Sequence, residues 1–198
     1  KNNLLSDKLA YNGDTKTRTH LHLCSYTVDR VEEAAGDDFG EMKSRFQPDG
    51  ITWLQIHGLE DTDAVQTVCT HFGIDFLVMQ DILNTDHASK VEEHDQYNVI
   101  IAKQIMGGEA MQVSLVQGAD FVLTFQERDN DFFDDVMRAI RNNVLKIRTR
   151  QSDYLFSVLL NGLITGYMSV AAAISDGLEE LESALLADTG DRDIGVQM

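Results

Sequence analysis

The chain has 198 residues, 43% of them hydrophobic, enough to bury a substantial core, which sets aside a disordered chain. Its formal charge of −17, from 33 acidic against 16 basic side chains, would repel both nucleic acid and an anionic membrane surface as direct partners. Cys24 and Cys69 stand far apart without CxxC spacing, which fits two core thiols in a reducing cytosol rather than a disulfide.

The start, Lys1-Asn2-Asn3-Leu4-Leu5-Ser6-Asp7, lacks the apolar run of a signal peptide and an initiating Met, and reads as the start of a fragment. Residues 1–19 are polar and aperiodic, an expected frayed arm. His20–Val28 alternates and reads as a strand. Glu32–Arg45 reads as a weak helix, ended by the chain's only proline in Gln47-Pro48-Asp49-Gly50. Ile51–Ile56, with the sole tryptophan Trp53, is a second strand. Val65, Val68, Cys69 and Phe72 then fall at i, i+3, i+4 and i+7 before Gly73. That pattern is an amphipathic helix with a glycine stop and Asp61 or Thr62 as its cap.

The next helix, Phe76–Asn84, sets Val78, Met79, Ile82 and Leu83 on one arc, with Asp81 beside the arc and Gln80 on the far side. Val91–Met106 reads as one long strand turned by Gly107-Gly108, followed by strands at Met111–Gln117 and Phe121–Gln126. Phe132–Asn143 is a helix with Arg138 and Arg141 in its C-terminal half, the favourable sign for the helix dipole.

From Arg148 to about Ala187 one helical pattern persists, its apolar seam running Phe156, Leu160, Leu163, Tyr167, Val170, Ile174, Leu178, Leu181 and Leu185. Within it Tyr154–Ser175 is 22 residues without a charge, long enough for a bilayer. Ser157, Asn161, Thr165 and Ser169 form a polar stripe along it, and Gly162, Gly166 and Gly177 weaken insertion further. A protruding helix outside the membrane, packing on partners, is the expectation.

No GxSxG elbow, P-loop, GxGxxG or HExxH is present, so hydrolytic and nucleotide chemistry are disfavoured and no enzyme is expected. His20-x-His22 can present two imidazoles on one strand face, the spacing of a zinc pair or simply of a half-exposed strand. The denser signal is Asp81, Asp86, His87, Glu92, Glu93, His94 and Asp95 within 15 residues, relieved by Lys90 alone. Magnesium takes oxygen ligands and keeps most of its waters, so one or two carboxylates suffice for it, although a solvated turn has the same composition.

Seven blocks stand in a recognisable order: Ile51-Thr52-Trp53-Leu54-Gln55-Ile56-His57-Gly58-Leu59; His71-Phe72-Gly73-Ile74; Asp81-Ile82-Leu83-Asn84; Lys90-Val91-Glu92-Glu93; Gln112-Val113-Ser114-Leu115-Val116; Phe121-Val122-Leu123-Thr124-Phe125-Gln126-Glu127; and Ile147-Arg148 leading to Ser152-Asp153-Tyr154-Leu155. In this the chain resembles the cytoplasmic part of CorA-type magnesium channels. The resemblance implies an α/β fold, an α/β/α layered domain on a mixed sheet over residues 20–146. A long protruding helix over 147–198 would lead toward a return helix, stalk and membrane spans that lie beyond this chain. It also implies a homopentamer at the cytoplasmic face of the cell membrane, carrying Mg2+ and in some members Co2+ or Ni2+. Divalent ions bound between subunits would favour the closed state.

By that resemblance Asp81 is a metal ligand whose partner comes from a neighbouring subunit, and Asp153 lies near a second site. Gln80 stands where relatives usually carry Glu, which weakens that second site for a hard ion. A zinc transporter of the ZntB type shares the fold and is the nearest alternative. A free-standing acidic adaptor, binding protein through the long helix, is the alternative from another class.

Overall fold

The computed structural model describes residues 8–190, with side chains through Leu186. Its strands are β1 (His20–Tyr26), β2 (Val31–Gly36), β3 (Ile51–His57), β4 (Lys90–Glu93), β5 (Tyr97–Met106), β6 (Glu109–Gly118) and β7 (Phe121–Gln126). Its helices are α1 (Phe39–Lys43), α2 (Thr62–His71), α3 (Phe76–Leu83), α4 (Asp134–Arg141) and α5 (Ser152–Gly190). All seven strands form one sheet in the order β2-β1-β3-β7-β6-β5-β4. It is mixed: β3 and β7 run parallel, and every other neighbouring pair is antiparallel.

Alternation along the strands feeds two cores. Leu21, Leu23, Leu54, Ile56, Val99, Ile101, Leu123 and Phe125 point to one face and pack with Val65, Val68, Val78, Met79, Ile82 and Leu83 of α2 and α3. Cys24, Tyr26, Trp53, Val113, Leu115 and Val122 point to the other, where Val136, Met137 and Ile140 of α4 and Leu155, Leu159 and Leu163 of α5 cover them. The result is the expected α/β/α layering with a long helix after it. The two cysteines fall in different cores, both free and buried, and burial pushes both thiols up to about 12.

Local chemistry fixes the helix ends. The Asp61 carboxylate accepts the Ala64 amide at 3.0 Å at the start of α2, and Asp38 does the same for Glu41 at 2.9 Å at the start of α1. After α2, Gly73 takes φ +69, the left-handed turn that ends the helix.

Four expectations need correction. Glu32–Arg45 is not one helix, since Val31–Gly36 is an edge strand paired with β1 from Leu21↔Gly36 to Tyr26↔Val31. The ladder outweighs the helical preference of its Glu and Ala residues, which amounts to only tenths of a kcal/mol each. Val91–Met106 is not one strand but a hairpin, β4 and β5, closed by the His94 amide donating to the Tyr97 carbonyl at 2.9 Å. The arm is not frayed over residues 8–19, where Asn12 bonds the Leu83 carbonyl and the Thr85 amide, and Tyr11 packs on the first core. That arm crosses Gly58, which takes φ +77 and where a Cβ would meet the Thr17 carbonyl at 2.4 Å. Residues 1–7 of the expected arm lie outside the described residues.

The fourth correction concerns the face of α5. Ser152, Leu155, Leu159 and Leu163 are its buried residues, so the packed stripe keeps Leu163 of the seam read in the sequence but is rotated away from its Phe156 and Leu160, which are half-buried. By length and composition α5 is apolar enough to cross a membrane, with mean hydropathy 1.6. Its first turns, however, are committed to the sheet. Beyond Leu163 only Ile164–Ser175 is uncharged before Asp176, 12 residues, against about 20 for a span. Ser157, Asn161, Thr165 and Ser169 are exposed, as the polar stripe requires.

Candidate cation-binding groove

An open groove of about 690 Å³ lies between α3 and the β4–β5 hairpin, bordered by Asp75, Gln80, Asp81, Glu92, Glu93 and His94 among others. The apolar arc of α3 roots it: Val78, Met79, Ile82 and Leu83 are buried, which holds Asp81 at the rim with its side chain 17% exposed. Gln112 of β6 steadies this end of α3, its Nε2 donating to the Ile82 carbonyl at 2.9 Å. Gln80 does not point to the far side as its place on the helical wheel suggests. It is 8% exposed and belongs to the same groove, because the hairpin folds over that side of α3.

Inside the chain, Asp81 already has counter-charge. Lys90 Nζ lies 2.6 Å from its Oδ2 and 2.8 Å from Glu92 Oε1, and His87 Nε2 is 3.3 Å from its Oδ1. Burial acts to lower the Lys90 pKa, but its hydrogen bonds to Asp81 and Glu92 outweigh this and leave it raised. The same hydrogen bond holds Glu92 below the ordinary carboxylate range. His94 stacks on Tyr97 at 4.6 Å, and the Tyr97 hydroxyl donates to Asp75 at 2.8 Å. One ammonium therefore bridges two carboxylates at the rim of the groove. Oxygen donors at a partly dry rim suit Mg2+, which needs few protein ligands.

Asp153 is elsewhere. It opens α5 on the opposite face of the sheet and accepts the Tyr154 amide at 2.7 Å. One chain brings Gln80 and Asp81 to a common groove and leaves Asp153 apart from them. Among the described residues, the groove carboxylates do not converge as a three-ligand cluster. The groups that do converge are His22, His57 and Asp129, on the far side of the sheet. Of the pair read in the sequence, His20 instead bonds Asp37, with Nδ1 to Oδ1 at 2.6 Å.

The α/β/α domain with its long exit helix has known counterparts. The family model described as CorA-like Mg2+ transporter protein matches residues 48–197. The chain belongs to the CorA family. The cobalt/magnesium transport protein CorA of Thermotoga maritima is 32% identical over 192 residues, covering 94% of this chain and 55% of its own. The chain thus spans about half the length of that relative. The soluble domain of CorA from Methanocaldococcus jannaschii superposes with TM-score 0.62 at 19% identity, over 83% of this chain and 64% of that one. The ZntB cytoplasmic domain from Vibrio parahaemolyticus gives 0.57 at 10%, over 81% of this chain and 64% of that one. At such identities the likeness speaks for the fold alone, and the fold does not separate the two kinds of transporter.

Proposed function

We propose that this chain is the cytoplasmic cation-sensing part of a CorA-type channel for Mg2+, with Co2+ and Ni2+ as further substrates, anchored through membrane spans outside this chain. In the complete protein, a homopentamer at the cytoplasmic face of the cell membrane, Asp81 contributes one carboxylate to a Mg2+ ion shared with a neighbouring subunit. The observation that carries this reading is the rim position of Asp81, held rigidly by α3 yet facing an open acidic groove. Carboxylates of adjacent subunits repel by about 1 kcal/mol per pair at contact in water. A bound ion turns that repulsion into a bridge and favours the closed ring, and its loss lets the subunits separate.

Gln80, a neutral amide, and Asp153, on another face, make any second site the weaker one. A ZntB-like zinc transporter is the second reading, favoured by the shared fold. Membership in a transporter family weighs against the free-standing adaptor. The test is limited proteolysis of the complete channel across a Mg2+ titration. Asp81→Asn should lose Mg2+ protection while ion passage persists, and Asp153→Asn should show a smaller loss. Equal protection of Asp81→Asn and wild type would sink the assignment.

A further inference from the structure

The sheet brings together a second group of metal-ligating side chains that the acidic groove does not use. β1 and β3 are antiparallel, with His20 opposite His57 and His22 opposite Gln55, so His22 and His57 project from the same face two residues apart. Their rings lie 5.0 Å apart. β7 runs parallel to β3 and ends with Gln126 beside His57, so the chain leaving it carries Asp129 over the same spot. Asp129 Oδ1 comes within 3.4 Å of His57 Nδ1. One ligand atom from each of His22, His57 and Asp129 lies within 4.8 Å of the others. The three face a cavity of about 710 Å³ between the sheet and α4.

The surroundings are organised around this point. Asn130 pins the loop that carries Asp129, its Oδ1 accepting from Gln126 Nε2 at 3.0 Å, Gln104 Nε2 at 3.2 Å and the Phe132 amide at 3.1 Å. The Asn130 amide group in turn donates to the Arg128 carbonyl at 3.0 Å. The His57 side chain is 2% exposed, its Nδ1 also 3.4 Å from the Arg128 carbonyl oxygen, while the Asp129 side chain is 61% exposed. His20, held by Asp37, packs edge-on against His22 at 4.9 Å. A tetrahedral ion with ligands at about 2.0–2.2 Å needs donor separations of about 3.3–3.6 Å. The triad has to contract by about an ångström at its widest, within the reach of Asp129 and His22 side-chain rotation.

We propose that His22, His57 and Asp129 form a binding site for a divalent transition-metal ion of the Zn2+, Co2+ or Ni2+ class, separate from the acidic groove. Two imidazoles and one carboxylate leave positions open for water or a fourth donor, and nitrogen donors select such ions over Mg2+, which prefers oxygen. The domain then has two metal inputs of different chemistry on opposite faces of one sheet. This site does not depend on the reading of Asp81.

The test is titration of the 198-residue chain with CoCl2, followed by the visible ligand-field absorption of bound Co2+. A saturable band at one equivalent, displaced by Zn2+ and unaffected by excess Mg2+, is expected. Losing an outer-shell partner of a metal site costs about 10–100-fold in affinity, so His22→Ala and Asp129→Asn, both removing ligands, should each weaken Co2+ binding by at least about tenfold. Neither position is part of the packed core, and unchanged circular dichroism confirms the fold. Asp81→Asn should leave the band as it is. Absence of a saturable band, or binding unchanged in both His22→Ala and Asp129→Asn, or equal loss in Asp81→Asn, overturns the proposal.

Discussion

Asp81 and Lys90 form the contact on which the groove turns. Lys90 sits on β4 with its ammonium shared between Asp81 of α3 and Glu92. On the proposed function, a Mg2+ ion arriving at Asp81 would displace that ammonium, and Lys90 would set the concentration at which the site fills. Lys90→Met keeps the apolar stem and removes the competing charge. An exposed or half-exposed ion pair is worth up to about 1 kcal/mol, which corresponds to roughly a fivefold change in affinity. The Mg2+ concentration for half-protection of the complete channel should fall by about that factor in Lys90→Met. A rise instead would mean that Lys90 supports the site rather than competing for it. The rim position of Asp81 was legible in the helical arc of its own segment. The burial of Gln80 was not, because it depends on a hairpin that the periodicity of Val91–Met106 conceals. His57 and Asp129 were invisible for the same kind of reason. Strand register brings residues 22, 57 and 129 together, and no local spacing reports it.

At the scale of elements, long periodic segments with strong caps were legible, while short segments were decided by their neighbours. α2 carried its cap, its stripe and its glycine stop in the sequence and folds as read. β2 did not, because its composition is helical and only pairing with β1 makes it a strand. Its acidic side chains are matched by basic ones, Glu33 to Arg141 at 2.6 Å and Glu32 to Arg45 at 3.0 Å, which also blunts this edge of the sheet. α5 is two things in one helix. Its first turns are a buried layer, and burial of Leu155, Leu159 and Leu163 contributes about 1.5–3 kcal/mol each. Its distal half carries Gly177 in the helix interior, where a Cβ would meet nothing within 4 Å. Glycine there costs about 1 kcal/mol relative to alanine. Gly177→Ala should therefore slow amide hydrogen exchange in the distal half of α5 by roughly fivefold and leave the sheet amides unchanged. Unchanged exchange across residues 170–186 would show that the distal half does not hold its helix in isolation.

At the scale of the whole molecule, two long-range terms oppose each other. Beyond its docked turns α5 exposes Met168 at 68%, Ile174 at 59%, Leu178 at 62% and Leu181 at 63%, an apolar face that favours self-association. The formal charge of −17 makes copies repel, and that repulsion is long-ranged only at low salt. The exposed apolar positions from Ile164 to Leu186 span about six turns of one helix, still a narrow strip beside the roughly 1,200 Å² or more of total buried surface that a stable interface needs. The chain should therefore remain in solution without detergent, because its uncharged stretch is partly docked on the sheet and the remainder is too short to span. It should associate weakly and reversibly, more strongly as salt screens the charge, without settling into a pentamer. Sedimentation velocity at several protein concentrations, at low and at high salt, reads all of this. A weight-average mass that rises with concentration, and rises further with salt, is the expected result. A pentamer independent of concentration would show that the sheet domain alone carries the subunit interface, and recovery only in detergent would show that α5 belongs in the bilayer.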